Sequence, residues 1–198
     1  MDSVEQALKS ALRELILSKP YKKISIGDIC AEANVSKATL YKKYASKDAL
    51  LVQILLDDIC EPITAIRCTI PTASFRNEAH SIIDFVQFSN ILDNAEFYRR
   101  VVKESPVLFF YELTKALAEI NRGLLSAYDI DPVEKDFMAF HFAANHTLLI
   151  AKWIHEDMSV DPRELAAWYY KWATVNWENL AQTWPPAPDA SDQRAFSG

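Results

Sequence analysis

The sequence predicts an all-α fold, with a small three-helix unit at the N-terminus and a larger helical bundle behind it. Three observations carry this. Apolar residues recur three and four apart along most of the 198 residues, the spacing that gathers them on one face of a helix. Only three glycines are present and runs of alternating β-branched residues are scarce, which is poor material for a sheet. Finally, several segments open on a serine or aspartate placed to cap a helix.

The first helix follows from Val4, Ala7, Leu8, Ala11, Leu12, Leu15 and Ile16, with Ser3 and Gln6 spaced as a capping box. Pro20 stops it, because the residue before a proline avoids the helical region. Ser25 and Asp28 open a second, two-turn helix with Ile26, Ile29 and Cys30 on one side. Asn34 then supplies the positive φ that a sharp turn between helices needs. Ser36 caps a third helix from Lys37 to about Tyr44, with Leu40 and Tyr44 inward. Ser46 caps a fourth whose apolar stripe is Leu50, Leu51, Ile54, Leu55 and Ile59, ended or bent at Pro62.

After a loop over 67–74, helical patterns resume over 75–92, 95–104 and from Pro106 to Ala127. Two long helices then begin alike, with Asp131-Pro132 and Asp161-Pro162, aspartate at the cap and proline at the first helical position. They run to about Glu156 and Gln182. The expected organisation is therefore a head over 1–47, a connecting helix over 47–61, a body over 62–184, and a proline-rich tail over 185–198 that is predicted to be disordered.

The net charge of −6 conceals an asymmetry. Residues 1–47 carry nine lysines and arginines against five acids, a net of +4, while the remainder carries −10. A polyanion is drawn to one end only, although charge by itself also fits a merely solvated basic face. No stretch approaches the ~20 apolar residues of a membrane span, and the N-terminus lacks the pattern of a signal peptide. Cys30, Cys60 and Cys68 are odd in number and contain no C-x-x-C pair, which reads as reduced structural thiols of a cytoplasmic protein.

Three short helices with a sharp turn between the second and third describe a helix-turn-helix. Leu12, Ile16, Ile29, Val35 and Leu40 would form its core. The recognition helix opens on Ser36, Lys37, Ala38 and Thr39, a small polar turn that fits a major groove. Ser25, Tyr41, Lys42, Lys43 and Lys47 surround it with groups suited to phosphates. The plainer alternative is that Ser36 only caps and the lysines only solubilise. The stretch from Ile24 to Leu50, ISIGDICAEANVSKATLYKKYASKDAL, resembles the DNA-binding domain of the TetR repressor family. That resemblance covers residues 5 to about 60. It implies a double-stranded DNA operator as partner, with Ser25, Lys37, Thr39, Tyr41 and Lys47 as DNA contacts and Tyr41 and Lys47 on phosphate. Two departures stand out. Asn34 replaces the usual turn glycine, and Lys42-Lys43-Tyr44 replaces an aromatic-histidine-phenylalanine segment.

The body resembles the family in architecture, and Asn145–Ile154 with Leu165–Trp172 resembles the paired dimerisation helices of a Firmicutes-type subgroup. Read so, it is a helical ligand-binding and dimerisation bundle, with Trp153, Trp168 and Trp172 anchoring a homodimer through a two-fold four-helix bundle. Phe85, Phe88, Phe109, Tyr111, His141 and His146 are candidates for a pocket taking a small apolar or aromatic ligand. Plain intrachain core remains the alternative for both sets. No histidine has a glutamate three residues upstream, and no nucleophile elbow, phosphate loop or metal-spaced cluster is present. An enzyme, a metal site and a cofactor are therefore not expected. A TetR-like fold that binds another protein in place of DNA is the rival reading.

Overall fold

The computed structural model describes residues 3–63 and 79–183, with side chains described over 3–63 and 82–172. The loop over 67–74, the segment 75–78 and the tail over 185–198 lie outside the described residues. Among those described, regular structure is helical throughout, with no strand.

Helix α1 (Ser3–Ser18) lays Leu8, Ala11, Leu12 and Ile16 into the core, and a 3₁₀ turn (Tyr21–Lys23) follows Pro20. Helix α2 (Ile26–Glu32) starts on a complete capping box. The Ser25 hydroxyl accepts from the Asp28 N–H, and the Asp28 carboxylate accepts from the Ser25 N–H. Asn34 sits at φ 52°, as the turn requires. Helix α3 (Lys37–Tyr41) is capped by Ser36 and is shorter than the sequence pattern suggests. It gives way to turn structure at Lys42, while Tyr44 still points inward because the Lys43 and Tyr44 N–H groups both return to the Leu40 carbonyl.

Helix α4 (Lys47–Leu55) contributes Leu50, Leu51, Ile54 and Leu55, each at most 1 % exposed. The chain then makes a π turn (Leu56–Cys60), marked by the Glu61 N–H bonding back five residues to the Leu56 carbonyl. Pro62 does not end the connecting helix, which is helical again over 61–63. Proline deprives the Asp58 carbonyl of its ordinary donor. That oxygen is met from outside by the Asn90 side-chain amide at 3.4 Å, and the Ile59 carbonyl by Gln87 at 3.1 Å.

The body is built from α5 (Ala79–Asp93), α6 (Ala95–Glu104), α7 (Pro106–Leu125), α8 (Pro132–His155) and α9 (Pro162–Thr183). Asp131 caps α8 as expected, its carboxylate accepting from the Val133 and Glu134 N–H groups, and Asp161 accepts from the Arg163 N–H at the start of α9. Helices α7 and α8 pack most extensively, with α9 against α5 next. One continuous core runs from Leu8 and Leu40 in the head through Ile54 and Ile59 to Phe88, Phe109, Leu113 and Trp153 in the body. At roughly 25 cal/mol per Å² of apolar area, a core shared in this way joins head and body as well as filling each.

Polar groups settle how the two parts meet. One guanidinium nitrogen of Arg13 in α1, Nη2, donates to both oxygens of Asp58 at 2.6 and 2.7 Å, and the Tyr98 hydroxyl donates to the same carboxylate at 2.7 Å. Lys9, almost fully buried, bonds both Glu5 and Asp57, while Gln53 donates to Asp57. Burial alone would lower the Lys9 pKa; the bonds to Asp57 and Glu5 outweigh it and hold the ammonium above its ordinary value. From α6, Arg100 donates to the Ile16 carbonyl at the end of α1, and Glu104 accepts the Tyr21 N–H.

Candidate nucleic-acid interface

Helices α2 and α3 are held at a fixed angle by Ile29 and Leu40, both fully buried, and by the left-handed turn at Asn34. This brings their two N-terminal turns together. A methyl group placed on Gly27 would lie 3.5 Å from the Ser25 hydroxyl and 3.8 Å from the Lys37 side chain. Ser25, Lys37 and the start of α3 thus form one small polar surface with backbone N–H groups beneath it. Such a surface suits phosphate oxygens at its edge and base edges at its centre.

Ser36 accepts from the Thr39 N–H at 3.1 Å and shares a hydrogen bond with the Thr39 hydroxyl at 2.8 Å. Both alternatives raised for Ser36 are thus compatible: it caps α3, and it lies on the exposed turn. Lys37, Ala38, Lys42 and Lys43 are exposed, and Tyr41 is 56 % exposed although it is a large aromatic residue. Tyr41 therefore stands with the two lysines on the outer side of α3 and takes no part in the core.

Lys47 has partners within the head. Its ammonium donates to the Tyr21 and Ile24 carbonyls at 2.8 and 2.9 Å and lies 4.3 Å from the centre of the Tyr21 ring. The Tyr21 carbonyl also accepts the Ile24 N–H within the 3₁₀ turn, so Lys47 adds a second donor there. Tyr21 is the residue the sequence reading missed. Its hydroxyl bonds Asp48, its N–H bonds Glu104 and its carbonyl bonds Lys47. Burial, reinforced by Asp48, raises its pKa far above the usual tyrosine range. Only its position after Pro20, where a buried aromatic interrupts a basic segment, hints at this in the sequence.

The body residues divide. Phe88 and Phe109 are fully buried, with Phe88 edge-on to His146 and to Trp153. His146 is buried and stacks on Tyr169, whereas His141 stands at the surface beside Asn145. Phe85 is half-buried under the Arg163 guanidinium. Of the expected pocket set only Tyr111 lines the apolar groove of about 380 Å³ that opens between α7 and α8. Pro106, Val107, Phe110, Thr114, Phe140 and Ala144 complete it. Trp153 lies inside the protomer, 3 % exposed, its indole N–H on the Val160 carbonyl, so it packs within the chain's own core. Trp168 and Trp172 are 40 % and 51 % exposed and remain on the surface, as do Phe137 and Leu148 of α8. Among the described residues no helix is long and apolar enough to cross a membrane, and no cluster of metal-ligating side chains occurs.

Two family models match the chain in succession. One, described as bacterial regulatory proteins of the tetR family, matches residues 8–54; another, a transcriptional regulator C-terminal region, matches residues 85–172. An uncharacterised helix-turn-helix-type transcriptional regulator of Bacillus subtilis, YxbF, is 22% identical over 176 residues covering 83% of this chain, and the chain spans 43% of that relative's length. Among solved structures, a TetR-family regulator from Syntrophomonas wolfei superposes with a TM-score of 0.61 at 18% identity, covering 87% of this chain and 93% of its own. The repressor AlkX from a Dietzia species gives 0.59 at 18%, covering 88% and 95%. The fatty acid degradation regulator FadR from Bacillus halodurans gives 0.57 at 13%, covering 86% and 94%. These structural likenesses are of fold, and the two matched segments fall on the head and the body that the geometry distinguishes. The chain belongs to the TetR family of bacterial transcription regulators, with a helix-turn-helix DNA-binding head.

Proposed function

We propose that the protein is a homodimeric repressor that occupies a palindromic operator and releases it when a small apolar or aromatic ligand binds the body. The observation that carries the DNA half of this reading is the exposed surface where Ser25, Lys37 and the first turn of α3 meet, flanked by Tyr41, Lys42 and Lys43. Two such surfaces related by a two-fold axis would enter successive major grooves about 34–36 Å apart. Trp168 and Trp172, with Phe137 and Leu148, offer the outward apolar side chains that a dimer would cover.

The ligand half rests on the apolar groove lined by Val107, Phe110, Tyr111 and Phe140. AlkX is a repressor implicated in biodegradation of n-alkanes and FadR a regulator of fatty acid degradation; apolar chains of that kind suit such a lining. A similar architecture also serves the dihydroxyacetone kinase operon activator DhaS, so the sign of regulation is tested by transcription in vitro, where the operator-bound protein is expected to lower transcript yield. For release to follow from binding, the ligand must favour one conformation over the other.

The test is selection of bound fragments from a genomic library at two salt concentrations. Recovery of a palindrome whose affinity falls with salt is the expected result. No enrichment at either salt overturns it and turns attention to a protein partner for the basic head.

A further inference from the structure

The one π turn among the described residues stands where head meets body, and its polar groups are bound by three neighbouring helices. The π turn Leu56–Cys60 carries the adjacent carboxylates of Asp57 and Asp58. Both are bound to α1: Asp57 by Lys9, and Asp58 by Arg13 through two hydrogen bonds. Asp58 is also bound to α6 through Tyr98, and the Arg13 guanidinium lies 4.8 Å from the centre of the Phe97 ring on the same helix. The backbone of the turn is bound to α5 through Gln87 and Asn90.

A π turn accommodates one residue more than an α turn, so the residues beyond it are carried about 100° around the helix axis relative to an uninterrupted helix. Within this turn both Asp57 and Asp58 reach α1. The Pro62 ring would crowd the Asp58 carbonyl of a regular helix and supplies no N–H to it, so the sequence itself favours the wide turn at this place. The amides of Gln87 and Asn90, one turn apart on α5, then meet the released carbonyls.

We propose that Asp57 and Asp58 are positioning residues for DNA recognition: through Lys9 and Arg13 they fix the angle of the head on the body, and through that angle the half-site spacing that the dimer accepts. The inference rests on the operator-binding reading above, because spacing has meaning only for paired heads on one duplex. Hydrophobic contacts between head and body are non-directional. The charge-assisted hydrogen bonds that Asp58 accepts from Arg13 and Tyr98 are directional, and so they supply what an angle requires.

Two measurements test this, on the full chain. The first needs no DNA: spin labels at residue 42 in the head and residue 115 in the body report the head–body distance distribution. It is expected to be narrow in the parent protein and broader in Asp58→Asn, which keeps the shape of the side chain and removes its charge. An unchanged width overturns the proposal. The second ranks affinity for one half-site sequence repeated at a series of spacers. Asp58→Asn is expected to lower discrimination between the best spacer and its neighbours by roughly fivefold or more, while a merely structural role would weaken every spacer alike. A profile unchanged in shape overturns the proposal. If Asp58→Asn does not fold, Lys9→Gln and Asn90→Ala each loosen a separate strand of the same lock and take its place in both measurements. If the distribution broadens but no duplex is bound by the parent protein, the operator reading fails and the proposal with it, while the lock remains only as a structural feature.

Discussion

Lysine 47, expected on phosphate, also has partners within the head. The sequence places it in the first turn of a helix beside a basic surface, where phosphate is the natural partner. The structure gives its ammonium to two carbonyls of the preceding turn. Replacement by alanine is therefore expected to remove both of these charge-assisted bonds and to lower stability by about 1–3 kcal/mol, measured by chemical denaturation. Lys42 is exposed: Lys42→Ala should keep stability and reduce the slope of log affinity against log salt by about 0.9. Thr39→Ala should instead narrow the gap between operator and random DNA, by about 1–3 kcal/mol if it reads a base edge. Parallel losses from Thr39→Ala and Lys42→Ala on both kinds of DNA would mean that base and phosphate contacts have been assigned to the wrong residues. Gly27 adds a separate test of backbone freedom. Its neighbours leave ordinary contact distances for a methyl group, so Gly27→Ala should raise stability by about 0.5–1 kcal/mol.

At the scale of elements, caps and breakers were the legible part. Ser25, Ser36, Ser46, Asp131 and Asp161 all cap as their spacing suggests, because a cap is a local matter between one side chain and an N–H two or three residues on. The π turn was not legible. It arises from carbonyls answered by α5 and carboxylates answered by α1, partners tens of residues away, and periodicity along one segment cannot report them. The same limit explains Trp153 and His141: both lie on a helix that sequence identifies, yet which face of α8 meets the core depends on where α7 and α9 lie. The α2 cap also makes a prediction about acid. Backbone and side-chain bonds from Ser25, with Lys19 nearby, hold the Asp28 carboxyl down at about 2 against an ordinary 3.8. A depressed carboxyl contributes its stability above the unfolded value and loses it as pH falls through the folded one. The stability difference between the parent protein and Asp28→Asn should thus be constant above about pH 4 and vanish towards pH 2, as followed by thermal melting across that range.

Across the whole molecule, the division of charge foreshadowed the division of labour. The head over 1–47 carries +4 and the rest of the chain −10, and the described residues form two structural parts joined through one core and one polar junction. Sequence supplied the fold class, the head and its exposed turn through the residues of α2 and α3. It could not supply the arrangement of the body, where long helices carry apolar residues on several faces and only the packing tells core from surface. The dimer proposed above belongs at this scale. A double change of Trp168 and Trp172 to lysine removes apolar contact and adds like charges across a two-fold axis, and is expected to yield monomers in sedimentation and to abolish operator binding without unfolding the head. A dimer of undiminished stability would place the interface on another face.

One buried thiol can report how often the junction opens. Cys60 sits within the π turn, and burial pushes its pKa up to about 12, while Cys30 is sealed in the core of the head. Only a thiolate reacts readily with an alkylating agent, so at neutral pH each sulfur waits for its own surroundings to open. With Cys68 changed to serine, two alkylation rates can be read from one sample by mass spectrometry. Equal rates would describe a molecule that opens as a unit. Faster capture of Cys60 would describe a junction that loosens while the head stays closed, and would convert the static picture of a locked hinge into a measured frequency of unlocking.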